Sequence, residues 1–159
     1  IKLDLSGITK GYGVDELARV MGEFDIRSWL VGIDGEMRAK GLKPDGTMWT
    51  VAHERPDREV REAMGVLELR DMAVATSGNY RHFREAGGRI VSHTMNPRTA
   101  QPLDNDVASV TVLAPTCMIA DAWATAFMVM GADRGLKAAR AHGLDAIFVL
   151  QDGRVRATL

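Results

Sequence analysis

The run "APTCMIADAWATAFMVMG", residues 114–131, is the stretch on which the fold turns. It is the longest apolar stretch of the chain, and an uninterrupted run of about 20 such residues would read as a membrane span. Asp121 breaks it near the middle, so it reads instead as a helix buried in a folded domain. Pro115 near its start and Gly131 at its end fit the usual asymmetry of helix termini. An acid in so apolar a helix is costly unless something positive meets it. Outward from this helix, "VASVTVLA" (107–114) is strand-like, and "ADRGLKAARAHG" (132–143) reads as a second helix closed by Gly143. "DAIFVLQDGRVRATL" (145–159) reads as a hairpin about Asp152-Gly153, a strong two-residue turn signal.

The chain has 159 residues, 46% of them hydrophobic and 26% charged, ordinary values for one globular domain with a real core. A net charge of −1 makes no electrostatic case for nucleic acid or an anionic membrane. The single cysteine, Cys117, excludes an internal disulfide and reads as core. Ile1 opens inside "IKLDLSGI", which resembles a strand end running into a loop, with neither an initiator Met nor a signal-peptide pattern. The chain is therefore expected to be part of a longer polypeptide.

Further toward the N-terminus, "DLSGITKGYGVDELARVMGEF" (4–24) reads as a glycine-rich turn feeding a helix, with Val14, Leu17, Ala18 and Met21 at helical spacing. "SWLVGIDG" (28–35) is a short buried strand, and "MRAKGLKPDGTMWTVAHE" (37–54) is two strand-like runs around a "PDG" turn. "VLELRDMAVATSGNY" (66–80) is a strand pair or one bent strand, and "RIVSHTMNPRTAQPL" (89–103) is a strand followed by a proline-punctuated loop. With no repeat and no linker, residues 1–159 are expected to form a single α+β domain, a mostly antiparallel sheet with packed helices.

Several residues carry candidate chemistry. Asp121 and Thr125 are i and i+4, neighbours on one helical face, and offer the oxygen ligands that Mg²⁺ accepts. The plainer alternative is that Asp121 favours its own helix dipole and Thr125 bonds back to a carbonyl. "SGITKGYG" (6–13) sets glycines and Lys10 before a helix, where phosphate is favoured, yet it fits neither the P-loop nor the dinucleotide fingerprint. Asp4 could be an ordinary turn acid. His93, in "SHTMNPRT" (92–99), could serve as a base near neutral pH or be a satisfied polar group at a strand end. His53, His82 and His142 have no partner legible from spacing.

Taken in order, "DLSGITKGYGVD", "VATSGNY", "SHTMNPRTAQPL" and "ADAWATAFMVMG" resemble the successive motifs of the ApbE family of FAD:protein FMN transferases. The resemblance spans nearly the whole chain and corresponds to the C-terminal portion of such an enzyme. It implies an ApbE-like, T-fold-like domain and a Mg²⁺-dependent reaction. The FAD pyrophosphate is cleaved, FMN is attached to a Thr or Ser hydroxyl of a partner flavoprotein, and AMP leaves. It also implies a periplasmic protein, often membrane-tethered through its N-terminus.

Carried over residue by residue, the resemblance puts the metal on the side chains of Asp121 and Thr125 and a carbonyl near Gly7. It puts FAD near Asp4, Lys10, Thr94 and Met95, and suggests that His93 assists deprotonation of the acceptor. The motifs depart from the family pattern at Ser6, at Thr9, at "GIDGE" (32–36), at Asn96-Pro97 and at Ala100. Two other classes are compatible with the sequence: a FAD-binding pyrophosphatase that releases free FMN, and a non-catalytic flavin-binding or interaction domain.

Overall fold

The computed structural model describes residues 3–80, 83–86 and 89–158. His82 lies outside the described residues. A first helix, α1 (Thr9–Glu23), is followed by strands β1 (Trp29–Ile33), β2 (Glu36–Lys40), β3 (Trp49–Glu54), β4 (Ala63–Leu69) and β5 (Ala73–Gly78). Short strands β6 (Phe83–Ala86), β7 (Arg89–Ser92), β8 (Met95–Asn96) and β9 (Gln101–Pro102) lead to the long β10 (Val107–Ala114). Helices α2 (Cys117–Met130) and α3 (Ala132–His142) and strands β11 (Asp145–Leu150) and β12 (Val155–Ala157) complete the domain.

Six strands form one sheet in the order β1-β2-β5-β10-β11-β12, and every neighbouring pair in it is antiparallel. The α+β class with an antiparallel sheet is therefore as expected. Helix α1 packs on β1 and β2, α2 on β5 and β10, and α3 on β11, so the helices lie side by side across the sheet. The period-2 alternation of β-structure sorts the side chains between two cores. Val110, Val112 and Ala114 of β10 face α2 and α3 with Phe127, Met128, Leu136 and Phe148. Leu113 and Val74 face the other way, onto Val51 and Leu69 of the β3–β4 hairpin. Burial on both faces explains why β10 reads as a near-continuous apolar run.

Two local readings change. The "PDG" turn is present, with Gly46 at φ 81° and its N–H on the Lys43 carbonyl at 2.9 Å, but β2 and β3 do not pair with each other. Both edges of β2 are taken, by β1 and β5, so β3 pairs with β4 in a separate two-stranded sheet. Likewise β4 and β5 belong to different sheets. A turn signal fixes a local reversal, while burial decides which strand becomes the partner. At the C-terminus the Asp152-Gly153 turn is four residues long, from Gln151 to Arg154, between β11 and β12.

Helix α2 runs from Cys117 with Thr116 as its cap, and α3 ends at Gly143 in the left-handed conformation at φ 63°. Among the described residues, no helix is long and apolar enough to cross a membrane. Cys117 is buried, and burial, with the acids Asp15, Glu36 and Asp121 nearby, pushes its thiol up to about 12. At neutral pH it is a protonated core residue.

Between the two sheets, His53 is buried with Nε2 3.0 Å from Thr111 Oγ1, which is in turn 2.8 Å from Thr76 Oγ1. Burial lowers the basicity of this imidazole. The unfolded chain takes the proton near pH 6.5, whereas the folded chain resists it to a lower pH. The stabilising preference for neutral His53 is complete above about pH 6.5 and is lost as pH falls through the folded value. Urea unfolding at about pH 7.5 and about pH 5.5 is expected to show a loss of stability on acidification that His53→Gln reduces. An identical pH dependence in the variant would remove His53 as the cause.

Candidate active site

The site is organised by the crossing of α1 and α2. Gly11, in the first turn of α1, lies against α2 so closely that a Cβ there would fall within contact distance of the Cys117 carbonyl and 2.8 Å from Asp121 Cβ. The Gly11 N–H donates to Asp121 Oδ2 at 2.9 Å. In return, Asp15 of α1 accepts from the first N–H groups of α2, those of Cys117 and Met118, both at 2.9 Å. Arg38 Nη1 also donates to Asp15 Oδ1, at 2.8 Å. Each helix thus presents a carboxylate to the positive end of the other.

This arrangement explains the acid in the apolar helix. Asp121 is the fifth residue of α2 and only 3% exposed, so the N-terminus that meets it belongs to α1 and not to its own helix. Burial raises its carboxyl above the usual range, opposed by the Gly11 N–H and the Lys10 charge. Among the described residues, its second oxygen, Oδ1, has no hydrogen-bond donor. One turn on, Thr125 Oγ1 does not bond back to a helix carbonyl. It sits 2.9 Å from Ser77 Oγ on β5, and a Cβ on Gly7 would come within 3.0 Å of it. Gly7, Asp121 and Thr125 are therefore adjacent.

These residues open into a cleft of about 890 Å³ whose lining includes all eight residues singled out above: Asp4, Gly7, Lys10, His93, Thr94, Met95, Asp121 and Thr125. Helix α1 begins at Thr9, so Lys10, Gly11 and Gly13 stand inside the helix and not in a turn before it. Asp4 closes a small turn, accepting from the Ser6 N–H at 2.9 Å and the Ser6 hydroxyl at 2.5 Å, and these bonds hold its carboxyl below the usual range. Its plain turn role is real, and it also lines the cleft.

Also lining the cleft is Thr94, whose N–H donates to Ser92 Oγ at 3.0 Å and whose carbonyl accepts from the Leu103 N–H at 2.9 Å. This fixes the loop that carries His93, exposed at the rim, and Met95. The Asn96 side chain forms the turn there, accepting from the Arg98 N–H at 2.9 Å. Ala100 is held at φ 53°, a left-handed conformation that strains an alanine.

Four titratable lining residues were not singled out as site residues in the sequence: Asp34, Glu36, Glu54 and Tyr80. Tyr80 donates to Glu54 Oε2 at 3.1 Å. Lys10 Nζ lies 2.9 Å from Glu36 Oε1 and 3.8 Å from Asp34. Burial works against the Lys10 charge, but Glu36, Asp34 and Asp121 outweigh it and hold the ammonium above its usual range. Ion pairing alone would lower Glu36. Burial prevails, and its carboxyl is raised. The missed signal was the Asp34-Gly35 dipeptide. Both residues have positive φ, 50° and 104°, and they form the two-residue turn of a β1–β2 hairpin that pairs Ile33 with Glu36. "SWLVGIDG" read alone as a strand hid that turn, and β1 is only partly buried.

The donor set suits a hard cation: one carboxylate oxygen without a donor, one hydroxyl and a backbone carbonyl at Gly7. Among the described residues no group of three or more His, Cys, Asp and Glu side chains converges to hold a metal without help. An ion bound here would draw its remaining oxygens from water and ligand, the pattern of Mg²⁺ on phosphates.

The ApbE family model matches residues 1–148. The FAD:protein FMN transferase of Vibrio cholerae serotype O1 is 42% identical over 149 residues, covering 94% of this chain and 45% of the relative. That of Escherichia coli K12 is 34% identical over 151 residues, covering 95% and 43%. Among solved structures, the apo form of the Pseudomonas stutzeri flavinyl transferase ApbE superposes with a TM-score of 0.81 at 39% identity, over 99% of this chain and 49% of that one. The ApbE protein of Thermotoga maritima superposes with a TM-score of 0.88 at 31% identity, over 98% and 50%. The chain spans about half the length of the relatives it matches.

Proposed function

The chain belongs to the ApbE family, and from that premise we propose that it carries the metal and pyrophosphate side of an active site that transfers the FMN moiety of FAD to a Thr or Ser hydroxyl of a partner flavoprotein. The observation that carries this reading is the charge of the cleft. Among the described residues it is lined by five acids, Asp4, Asp34, Glu36, Glu54 and Asp121, against one lysine, Lys10. Such a cleft accepts a pyrophosphate only with an added cation, and Gly7, Asp121 and Thr125 are the residues that would hold it. Mg²⁺, when bound, would neutralise charge on the phosphates.

The protein's own groups supply position. Lys10 offers a point charge to phosphate oxygens beside the N-terminus of α1. The loop of Thr94 and Met95 forms the facing wall for the nucleotide. His93 takes the proton of the acceptor hydroxyl on an imidazole nitrogen as that oxygen bonds to the FMN phosphorus. The bond between the two phosphates breaks, and AMP leaves. By the same family reading the protein works on the periplasmic side, with tethering through sequence outside this chain.

The test is to incubate the full-length protein with FAD, Mg²⁺ and a candidate acceptor, then weigh the acceptor. The expected result is an acceptor heavier by one phosphoester-linked FMN, with AMP released in equal amount. Free FMN with an unlabelled acceptor would replace transfer by pyrophosphate hydrolysis. A folded protein that binds no flavin would leave only an interaction domain.

A further inference from the structure

Glu36 is 2% exposed, and its two oxygens are in unlike positions. Oε1 is 2.9 Å from Lys10 Nζ, while Oε2 is shielded from water and, among the described residues, has no hydrogen-bond partner. A buried acceptor left unpaired is costly, more so on a carboxylate. What makes the residue tolerable is Lys10, and Lys10 is the only lysine or arginine among the described residues lining the cleft. The Lys10 side chain is about two-fifths exposed, and it both meets Glu36 and lines the cleft.

We infer that Glu36 is a positioning residue that pins Lys10 and thereby makes the cleft select the metal complex of a dinucleotide pyrophosphate over the metal-free species, an inference that rests on the flavin reading of the cleft. A metal-free pyrophosphate has to draw Lys10 toward itself. That would leave both oxygens of Glu36 buried and unpaired. A pyrophosphate that brings its own cation makes no such demand. Lys10 stays on Glu36 with one of its three N–H donors and meets the phosphate with the others. Glu36 holds the lysine where the ligand must come to it, and its charge works against any anion that arrives without a counterion.

The test uses the full-length protein with FAD as the probe, its affinity measured calorimetrically in Mg²⁺ and in EDTA. The wild type is expected to bind FAD more tightly in Mg²⁺. In Glu36→Gln the amide fills the same volume and its oxygen still accepts from Lys10, but the charge is gone. The ratio of the two dissociation constants is expected to fall roughly tenfold, mainly through tighter binding of metal-free FAD, the scale of one unit charge acting across a few ångströms of a part-buried site. Glu36→Asp, which draws the carboxylate back by one methylene, moves the ratio the same way by less, and decides the matter if the glutamine variant does not fold. A merely structural role would weaken both affinities together and leave the ratio alone. A ratio within about twofold of wild type in both folded variants would overturn the inference and leave the flavin reading standing. So would a wild type that binds FAD equally well with and without metal. A wild type that binds FAD in neither condition would remove both.

Discussion

Asp121→Asn is expected to abolish Mg²⁺-dependent transfer while leaving the protein at least as stable as the wild type. The two halves of this expectation come from the two oxygens of one side chain. Oδ2 accepts the Gly11 N–H at 2.9 Å, and an asparagine oxygen can do the same, so the α1–α2 crossing survives. Burial disfavours the charge on Asp121, and a neutral isostere removes that cost. The other position then carries an amide NH₂, which repels a cation where Oδ1 would bind one. Substitutions of groups that merely support metal ligands cost roughly 10–100-fold, so loss of the one anionic ligand is expected to cost at least roughly 100-fold in transfer at limiting Mg²⁺. Thermal unfolding and a Mg²⁺ titration of transfer, made on the same preparation, separate the effects. Full transfer by a stable variant would take the metal away from Asp121. Unfolding of the variant would make its role structural.

Gly11→Ala is expected to destabilise the fold although it raises helix propensity. Replacing an interior helical glycine by alanine ordinarily gains about 1 kcal/mol. At Gly11 the added Cβ meets the backbone of Cys117 and, at 2.8 Å, Asp121 Cβ, and neither is the loose end of a flexible side chain. Overpacking of this kind costs about 3 kcal/mol, which leaves a net loss of about 2 kcal/mol. Gly22, near the other end of the same helix, has nothing within 4 Å of the corresponding position. Gly22→Ala is expected to stabilise by about 0.5–1 kcal/mol. Denaturant unfolding of the two variants tests the sign of each. If Gly11→Ala gains stability as Gly22→Ala does, the helices are not in the close contact described.

Much of this was legible in the sequence, and the exceptions have physical causes. Helical spacing located α1, helix-end signals located α2 and α3, and a near-continuous apolar run located β10, which is buried on both faces. The pairing of β3 with β4 was not legible, since strand partners are chosen by surfaces distant in sequence. The candidate residues line one cleft, yet the motif reading passed over Glu36. Its setting depends on a hairpin that points it at Lys10, 26 residues earlier in the chain. Nor could spacing reveal that the positive group answering Asp121 is a backbone N–H of another helix. Leu17, placed at helical spacing, is 40% exposed, because only the Val14 and Ala18 side of α1 reaches the core.

The mutual embrace of α1 and α2 also sets a timetable for assembly. The Gly11–Asp121 bond closes a separation of 110 residues, and the Asp15–Cys117 bond one of 102. Strands β1 to β10 lie between. Contacts of such span are reached late, because the entropy of closing the intervening loop must be met before they contribute. As the chain emerges during synthesis, α1 comes out before α2 and lacks the Asp121 carboxylate at its N-terminus and a surface against Gly11 until α2 follows. Lys10 and Asp121 therefore become neighbours only in the closing stages of folding. A partly made chain holds no half-formed cleft, and the carboxylate of Asp121 meets the N-terminus of α1 only in molecules that have already folded.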